Sequence, residues 1–273
     1  MSPVTIDGST RVYAVFGDPV KQVQTPRLIN PLFAAAGHNL VAVPFHVTPA
    51  RLAQTWGAFR QIDTIAGIGV TVPHKVAAAT LCDSLTEAAR MVGAVNSIQR
   101  RDDGSMHGAL FDGAGFVQGL GTCRARLKGA EILLMGAGGA GRAIAHALAA
   151  EAPSRIWVLD RDPGSVAFTV DLINRASGVM MAAEAGADAH RATVWINATP
   201  MGLRPGDVLP VDPGHLTQDT FVADIASLSR QTELLSRARA LGCATNDGND
   251  MLNAQIALIA GFAAGLEAGQ PLT

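Results

Sequence analysis

The run Gly136-Ala137-Gly138-Gly139-Ala140-Gly141 spaces its glycines as a backbone turn around a pyrophosphate would need them. In such a G-x-G-x-x-G the first glycine permits the tight turn. The second lets phosphate approach N–H groups at a positive helix N-terminus, and the third allows close strand–helix packing. The same fingerprint expects an acid about 20 residues further on, to accept hydrogen bonds from ribose hydroxyls. Asp160 stands 19 positions beyond Gly141, with Arg161 beside it.

Two further residues could move a proton. Lys75, in Val70-Thr71-Val72-Pro73-His74-Lys75, is placed by the spacing in the first turn of a helix. There the helix dipole disfavours a cation by ~0.3–1 kcal/mol when exposed, and so favours the neutral amine. A lysine so placed suits proton donation and acceptance; a solvated surface lysine fits the position equally well. Asp112 precedes a helical run, where an aspartate is most often an N-cap, but Gly113 and Gly115 would let another group approach closely.

Strands alternating with helical segments must carry these residues, which predicts an α/β fold with parallel sheets and crossover helices. In the first half, strands are expected over 12–16, 40–45, 65–72 and 95–100. Helices are expected from Thr25, as N-cap before Pro26, to near Gly37, over 51–60, and over 75–81 with Pro73 at the start. The Asp102-Asp103-Gly104-Ser105 turn makes a hairpin return. The apolar run Glu131–Met135 leads into the glycine turn and an Ala-rich helix leads out. Strands follow at 155–159, 194–196 and 221–225, then an Ala/Leu/Ile-rich helix over 251–266. Because the fingerprint begins so late, the expected organisation is an N-terminal α/β substrate domain over 1–107, a Rossmann domain over 108–245, and a terminal segment, 246–273, packing back on the first.

Bulk composition narrows the function classes. With 273 residues and a formal charge of −2, acids and bases interspersed, the chain offers no polycationic face for nucleic acid. No apolar run approaches the ~18 residues that span a bilayer, so no membrane partner is expected. Cys82, Cys123 and Cys243 show neither CxxC nor His/Cys spacing, which implies no metal and fits a reducing cytoplasm.

Taken together, the segments resemble the shikimate/quinate dehydrogenase family over nearly the whole length. The resemblance is carried by 13–20 (YAVFGDPV), 67–75 (GIGVTVPHK), 93–97 (GAVNS), 112–116 (DGAGF), the Gly136 turn, 197–202 (NATPMG) and 251–255 (MLNAQ). It implies an active site in a cleft between the two domains, with Lys75 and Asp112 as the catalytic pair. These would handle the hydroxyl proton while hydride passes between a ring carbon and the nicotinamide. Thr71, Asn96 and Gln255 match substrate-binding positions, and Asn197, Thr199 and Met201 lie in the loop on the nicotinamide side. The partners implied are a small cyclic hydroxy acid and, as an option, a second copy of the chain in a homodimer.

Departures from the family pattern cluster in the substrate cup. Where relatives carry a Ser-x-Ser pair and a later Tyr for the substrate carboxylate, this chain has Val23, Thr25 and Ser227. Gly69 replaces an Asn, and Leu110-Phe111 replaces Asn-Thr. Each lost donor costs ~1–3 kcal/mol, which predicts weak shikimate turnover and a less hydroxylated or differently decorated cyclic acid as substrate. Lys21, Gln22, Gln24 and Arg27 are candidate replacement anchors. After the second strand of the dinucleotide domain, Asp160-Arg161-Asp162 stands where NADP-using relatives carry Asn-Arg-Thr. Asp160 would meet a 2′-phosphate with like charge and Asp162 would tend to neutralise Arg161, so NAD is expected over NADP. An efficient catabolic quinate or shikimate dehydrogenase and a non-catalytic NAD-binding sensor are the alternatives.

Overall fold

The computed structural model describes residues 5–202, 206–226 and 231–272. The chain forms two compact units, Met1–Phe111 with Gln255–Thr273, and Asp112–Ala254. The first contains β1 (Arg11–Gly17), α1 (Thr25–Ala35), β2 (Leu40–His46), α2 (Leu52–Arg60), β3 (Ile65–Val70), α3 (Lys75–Ala79), β4 (Ser84–Leu85), α4 (Glu87–Val92), β5 (Ser97–Arg100) and β6 (Met106–Ala109). The second contains α5 (Asp112–Gly119), β7 (Glu131–Met135), α6 (Gly139–Leu148), β8 (Arg155–Leu159), α7 (Pro163–Ser177), β9 (Ala182–Glu184), β10 (Val194–Asn197), β11 (Phe221–Asp224), α8 (Glu233–Ala240) and β12 (Thr245–Asp247). A last helix, α9 (Gly248–Ala263), is shared in sequence between them.

Both divisions fall later than expected, at 111/112 rather than 107/108, and at 254/255 rather than before 246. Strand pairing is the reason. β6 is the antiparallel partner of β5 through Ser97↔Ala109, which holds residues 108 and 109 in the first sheet. β12 lies parallel to β11 through Ala223↔Asn246, which holds 246 and 247 in the second.

The first sheet has the order β2-β1-β3-β5-β6-β4. β1 pairs parallel with β2 and β3, and β4 with β6; β5/β6 is the hairpin expected at 102–105, while the antiparallel β3/β5 pair corrects the expectation of parallel pairing to a mixed sheet. In the hairpin turn Gly104 takes φ +79° and the Ser105 N–H donates to Asp103 Oδ1 at 2.8 Å. β1 is buried from Tyr13 onward and β3 along its whole length, as the inner strands of a covered sheet must be. Tyr13, Ile29, Phe33, Phe111, Ile259 and Phe262 share the core of this unit.

Helix starts differ in detail. α1 is capped by Gln24, not Thr25, because the first helical bond runs from the Leu28 N–H to the Gln24 carbonyl, at 3.1 Å. Strand β3 stops at Val70 because the chain turns at once, the His74 N–H donating to the Thr71 carbonyl at 2.8 Å. α3 is only five residues long and is capped by His74, with Pro73 outside it. At little more than one turn, its end charges lie close together and largely cancel. The helix field expected at Lys75 is therefore small.

The second sheet, β12-β11-β10-β7-β8-β9, is parallel throughout. Strand order reverses between β7 and β10, the crevice where doubly wound folds bind ligands at the carboxyl ends of their strands. Ile132, Leu134, Ile144, Val158, Ile196 and Phe221 lie in one core layer, and Leu133, Met135, Trp195, Val222 and Leu234 in another, one on each face as strand alternation requires.

Candidate active site

The first unit gathers Thr71, Lys75 and Asn96 beyond the ends of β3 and before β5. Lys75 is half-buried at the start of α3. The residue before it is locked, since the ring Nε2 of His74, 1 % exposed, lies 2.7 Å from the Val47 carbonyl oxygen. The Lys75 carbonyl accepts from the Val95 N–H at 3.0 Å, and the Asn96 carbonyl from the Val70 N–H at 3.0 Å. Buried Asn96 also accepts at Oδ1 from the Phe111 N–H, at 3.0 Å. One hydrogen-bonded run thus fixes the backbone of Lys75 through Val95 and Asn96 to Phe111, the residue that precedes Asp112 in the chain. Thr71 donates its N–H to the Phe16 carbonyl at 3.0 Å, and its methyl would lie 2.8 Å from a Cβ at Gly17.

Gln255 opens the part of α9 that belongs to this unit. Its Oε1 is a buried acceptor without a protein partner, one of two such side-chain atoms among the described residues, the other being Trp56 Nε1. An unpaired buried acceptor costs ~1–3 kcal/mol, and a ligand hydroxyl would remove that cost. Val23, where the family carries a hydroxyl, packs against the core with Leu28 and Leu32, and half-buried Thr25 is the first residue of α1. Ser227 lies outside the described residues. At Gly69 a Cβ would stand 3.0 Å from the Tyr13 hydroxyl, which is itself 2.7 Å from Ser97 Oγ. Tyr13 therefore occupies the space beside the missing Asn side chain.

In the second unit Asp112 is the first residue of α5 and 3 % exposed. The neighbouring glycine has a packing reason: a Cβ at Gly113 would run into the Ala143 carbonyl of α6. The Gly136 turn has the shape a dinucleotide requires. Gly136 adopts φ +100°, and a Cβ there would lie 2.9 Å from the Ala198 carbonyl. A Cβ at Gly141 would collide with the Gly136 carbonyl, so the third glycine sets how closely α6 packs on the turn. At Gly138 and Gly139 nothing lies within 4 Å, and Gly138 is exposed as the cap of α6. Backbone crowded behind the turn and open space in front of it fit a pyrophosphate seated on the N-terminus of α6, beside half-buried Ala140.

Asp160 supports that turn directly. Its Oδ2 accepts from the Ala137 N–H at 2.7 Å and its Oδ1 from the Asp162 N–H at 3.0 Å. Asp162 does not serve to neutralise exposed Arg161 as the sequence suggested. It caps α7, and its carboxyl is held below the ordinary range first by the Ser165 hydroxyl and N–H, with Arg142 as the nearby cation. A capping carboxylate is committed to the helix N-terminus, and that satisfies it better than a solvated arginine would.

The loop after β10 is built on Asn197, fully buried. Its Oδ1 accepts from the Thr199 N–H (3.0 Å) and hydroxyl (2.7 Å), and its Nδ2 donates to the Met201 carbonyl at 3.2 Å. The same Nδ2 reaches Asp224 Oδ2 at 3.1 Å. Sequence reading passed over Asp224. The available signal was its position, an acid at the carboxyl end of a parallel strand next to the switch point.

Fold and site together define an α/β oxidoreductase with a separate dinucleotide-binding unit. Residues 15–98 match the family model for the shikimate dehydrogenase substrate binding domain. Shikimate dehydrogenase (NADP(+)) of Rubrobacter xylanophilus is 34% identical over 256 residues, 92% of this chain and 90% of its own length. Among solved structures, 5-ketofructose reductase of a Gluconobacter species is 30% identical with a TM-score of 0.83, covering 97% of this chain and 95% of its own. Quinate dehydrogenase from Corynebacterium glutamicum, solved with NAD, is 29% identical with a TM-score of 0.85, covering 94% and 95%. The chain belongs to the shikimate dehydrogenase family.

Proposed function

We propose that this enzyme oxidises a secondary ring alcohol, or reduces the matching ketone, on a small cyclic substrate, with Lys75 and Asp112 handling the proton. The observation that carries the reading is the hydrogen-bonded run from the Lys75 carbonyl through Val95 and Asn96 to Phe111, because it fixes the backbone from which the lysine projects. A nicotinamide dinucleotide, when bound, supplies or accepts the hydride. The chain does the rest. Gly138, Gly139 and Ala140 offer backbone N–H groups to the pyrophosphate, and the loop of Asn197, Thr199 and Met201 lines the nicotinamide side. Asp160, with Arg161 next to it, faces the adenosine ribose, Lys75 takes the proton from the hydroxyl as it becomes a carbonyl, and Asp112 is assigned to orient the lysine. Thr71, Asn96, Gln255 and Thr25 are assigned to the substrate.

Two finer assignments belong to the same reading. NAD is preferred over NADP because the Asp160 carboxylate repels a 2′-phosphate, in contrast to the NADP(+) named for the Rubrobacter relative. Shikimate is turned over weakly, because the position of one family hydroxyl is occupied by Val23, which packs into the core. That observation also favours a second reading, a cyclic substrate with no carboxylate at all. The Gluconobacter relative, named for a keto sugar, is one to compare. Initial rates with shikimate, quinate, an aminated analogue and a neutral keto sugar, each with both dinucleotides, test all of this. Saturation by shikimate with NADP at the level of a biosynthetic relative would refute both finer assignments.

A further inference from the structure

Asp224, at the carboxyl end of β11, is 1 % exposed and takes no part in the chemistry above. Three donors converge on it. Asn197 Nδ2 (3.1 Å) and Thr232 Oγ1 (2.8 Å) donate to Oδ2, and the Ala226 N–H (3.0 Å) donates to Oδ1. Each donor belongs to a different piece of structure. Asn197 holds the loop through Thr199 and Met201, Ala226 is the second residue after β11, and Thr232 is the N-cap of α8, accepting from the Leu235 N–H at 3.4 Å.

The loop that Asn197 holds is pressed against the glycine turn. The Ala198 N–H donates to the Met135 carbonyl at 2.7 Å, and a Cβ at Gly136 would lie 2.9 Å from the Ala198 carbonyl and 3.0 Å from the Thr199 methyl. A small movement of Asn197 is therefore passed on to Thr199 and Met201, while the Ala198 N–H stays anchored on β7. An ionised carboxylate accepts well from all three donors, whereas an amide sets its NH2 against at least one of them and a protonated acid meets one with the weaker acceptor of its hydroxyl oxygen.

We propose that Asp224 is a positioning residue for the nicotinamide side of the dinucleotide site, acting through Asn197. This rests on the assignment of the 197–202 loop made under the proposed function. Burial of a charge this deep costs stability, so a carboxylate here is explained by the geometry it imposes on the loops rather than by what it adds to the fold.

The test is Asp224→Asn, read by binding rather than turnover. NADH affinity is measured by nicotinamide fluorescence and ADP-ribose affinity, which lacks the nicotinamide, by calorimetry. NADPH and 2′-phospho-ADP-ribose replace them if wild type prefers the phosphate. The expected result is a weakening for the reduced dinucleotide of about tenfold, with ADP-ribose changed less than about twofold and the melting temperature nearly retained. Hydrogen exchange should quicken at the Thr199 and Ala226 amides while β11 stays protected. Equal weakening for both ligands, or no change in either, overturns the positioning role. If Asp224→Asn does not fold, Thr232→Val removes one donor and leaves the charge, and should give the same split at smaller amplitude; equal shifts there overturn it too. Wild type that binds neither ligand overturns the dinucleotide reading itself, and with it this one.

Discussion

Lys75 and Gln255 separate the two kinds of contribution a residue makes. Lys75→Met removes the proton carrier without touching the glycine turn, so turnover should fall by ~10²–10⁴-fold while NADH still binds. Rates beside fluorescence titration check this, and undiminished turnover would remove Lys75 from the site. Gln255→Leu removes a buried acceptor that has no protein partner. Unfolding should show stability unchanged or raised by ~1 kcal/mol, while KM for the cyclic substrate rises. A large loss of stability would mean that Oε1 is satisfied within the fold. Asp160 does two jobs, facing the ribose and holding the turn. Because its oxygens accept from the Ala137 and Asp162 N–H groups, Asp160→Asn keeps a single well-placed acceptor. The NADP/NAD ratio should rise, but affinity for NAD should fall by more than the ribose contact alone accounts for, which competitive titration with both dinucleotides would show.

At the scale of elements, close backbone approach decides more than propensity does. Gly141→Ala would drive a methyl into the Gly136 carbonyl and force α6 away from the turn. We expect a loss of ~1–3 kcal/mol in urea unfolding together with loss of dinucleotide binding. The end of β11 makes a pH prediction. Burial, the largest influence, raises the Asp224 carboxyl above 3.8, against the lowering effect of the Thr232, Asn197 and Ala226 donors, none of which titrates. A carboxyl whose folded value is raised contributes stability below its unfolded value and loses it as pH rises through the folded value. Stability of wild type relative to Asp224→Asn should thus increase as pH is lowered from 7 into the range just above 4. Parallel urea titrations check the sign, and a difference that shrinks on acidification would contradict it. These element-scale features were unevenly legible. The glycine turn announced itself because only glycine fits there. The weaker caps of α4 and α8, Thr86 and Thr232, are not legible in the sequence because a lone threonine in a loop carries no periodic signal.

For the molecule as a whole, each unit has its own core, and the core of the first is completed from the far end of the chain. Phe262, 1 % exposed, meets Phe111 edge-to-face at 5.5 Å and shares a cluster with Tyr13 and Phe33. Phe262→Ala should cost ~3–5 kcal/mol, and hydrogen exchange should show the loss in β1 while β7 keeps its protection. Uniform loss in both strands would mean that the two units unfold together. Among the described residues no helix is long and apolar enough to cross a membrane.

By itself the sequence determined the strand–helix alternation, the glycine turn, the acid that follows it, and the order of the motifs around Lys75, Asn96 and Asp112. These are local statements, set by backbone permissiveness and by hydrophobic period, and a single stretch of chain contains them. Only the tertiary structure decided that β5 runs antiparallel to β3, that Asp160 and Asp162 are tied to N–H groups rather than to Arg161, that Val23 belongs to a core, and that one carboxylate joins Asn197 to Thr232. Each of these depends on which distant donors and which apolar faces meet, and register and packing fix those meetings between residues that sequence spacing leaves unrelated.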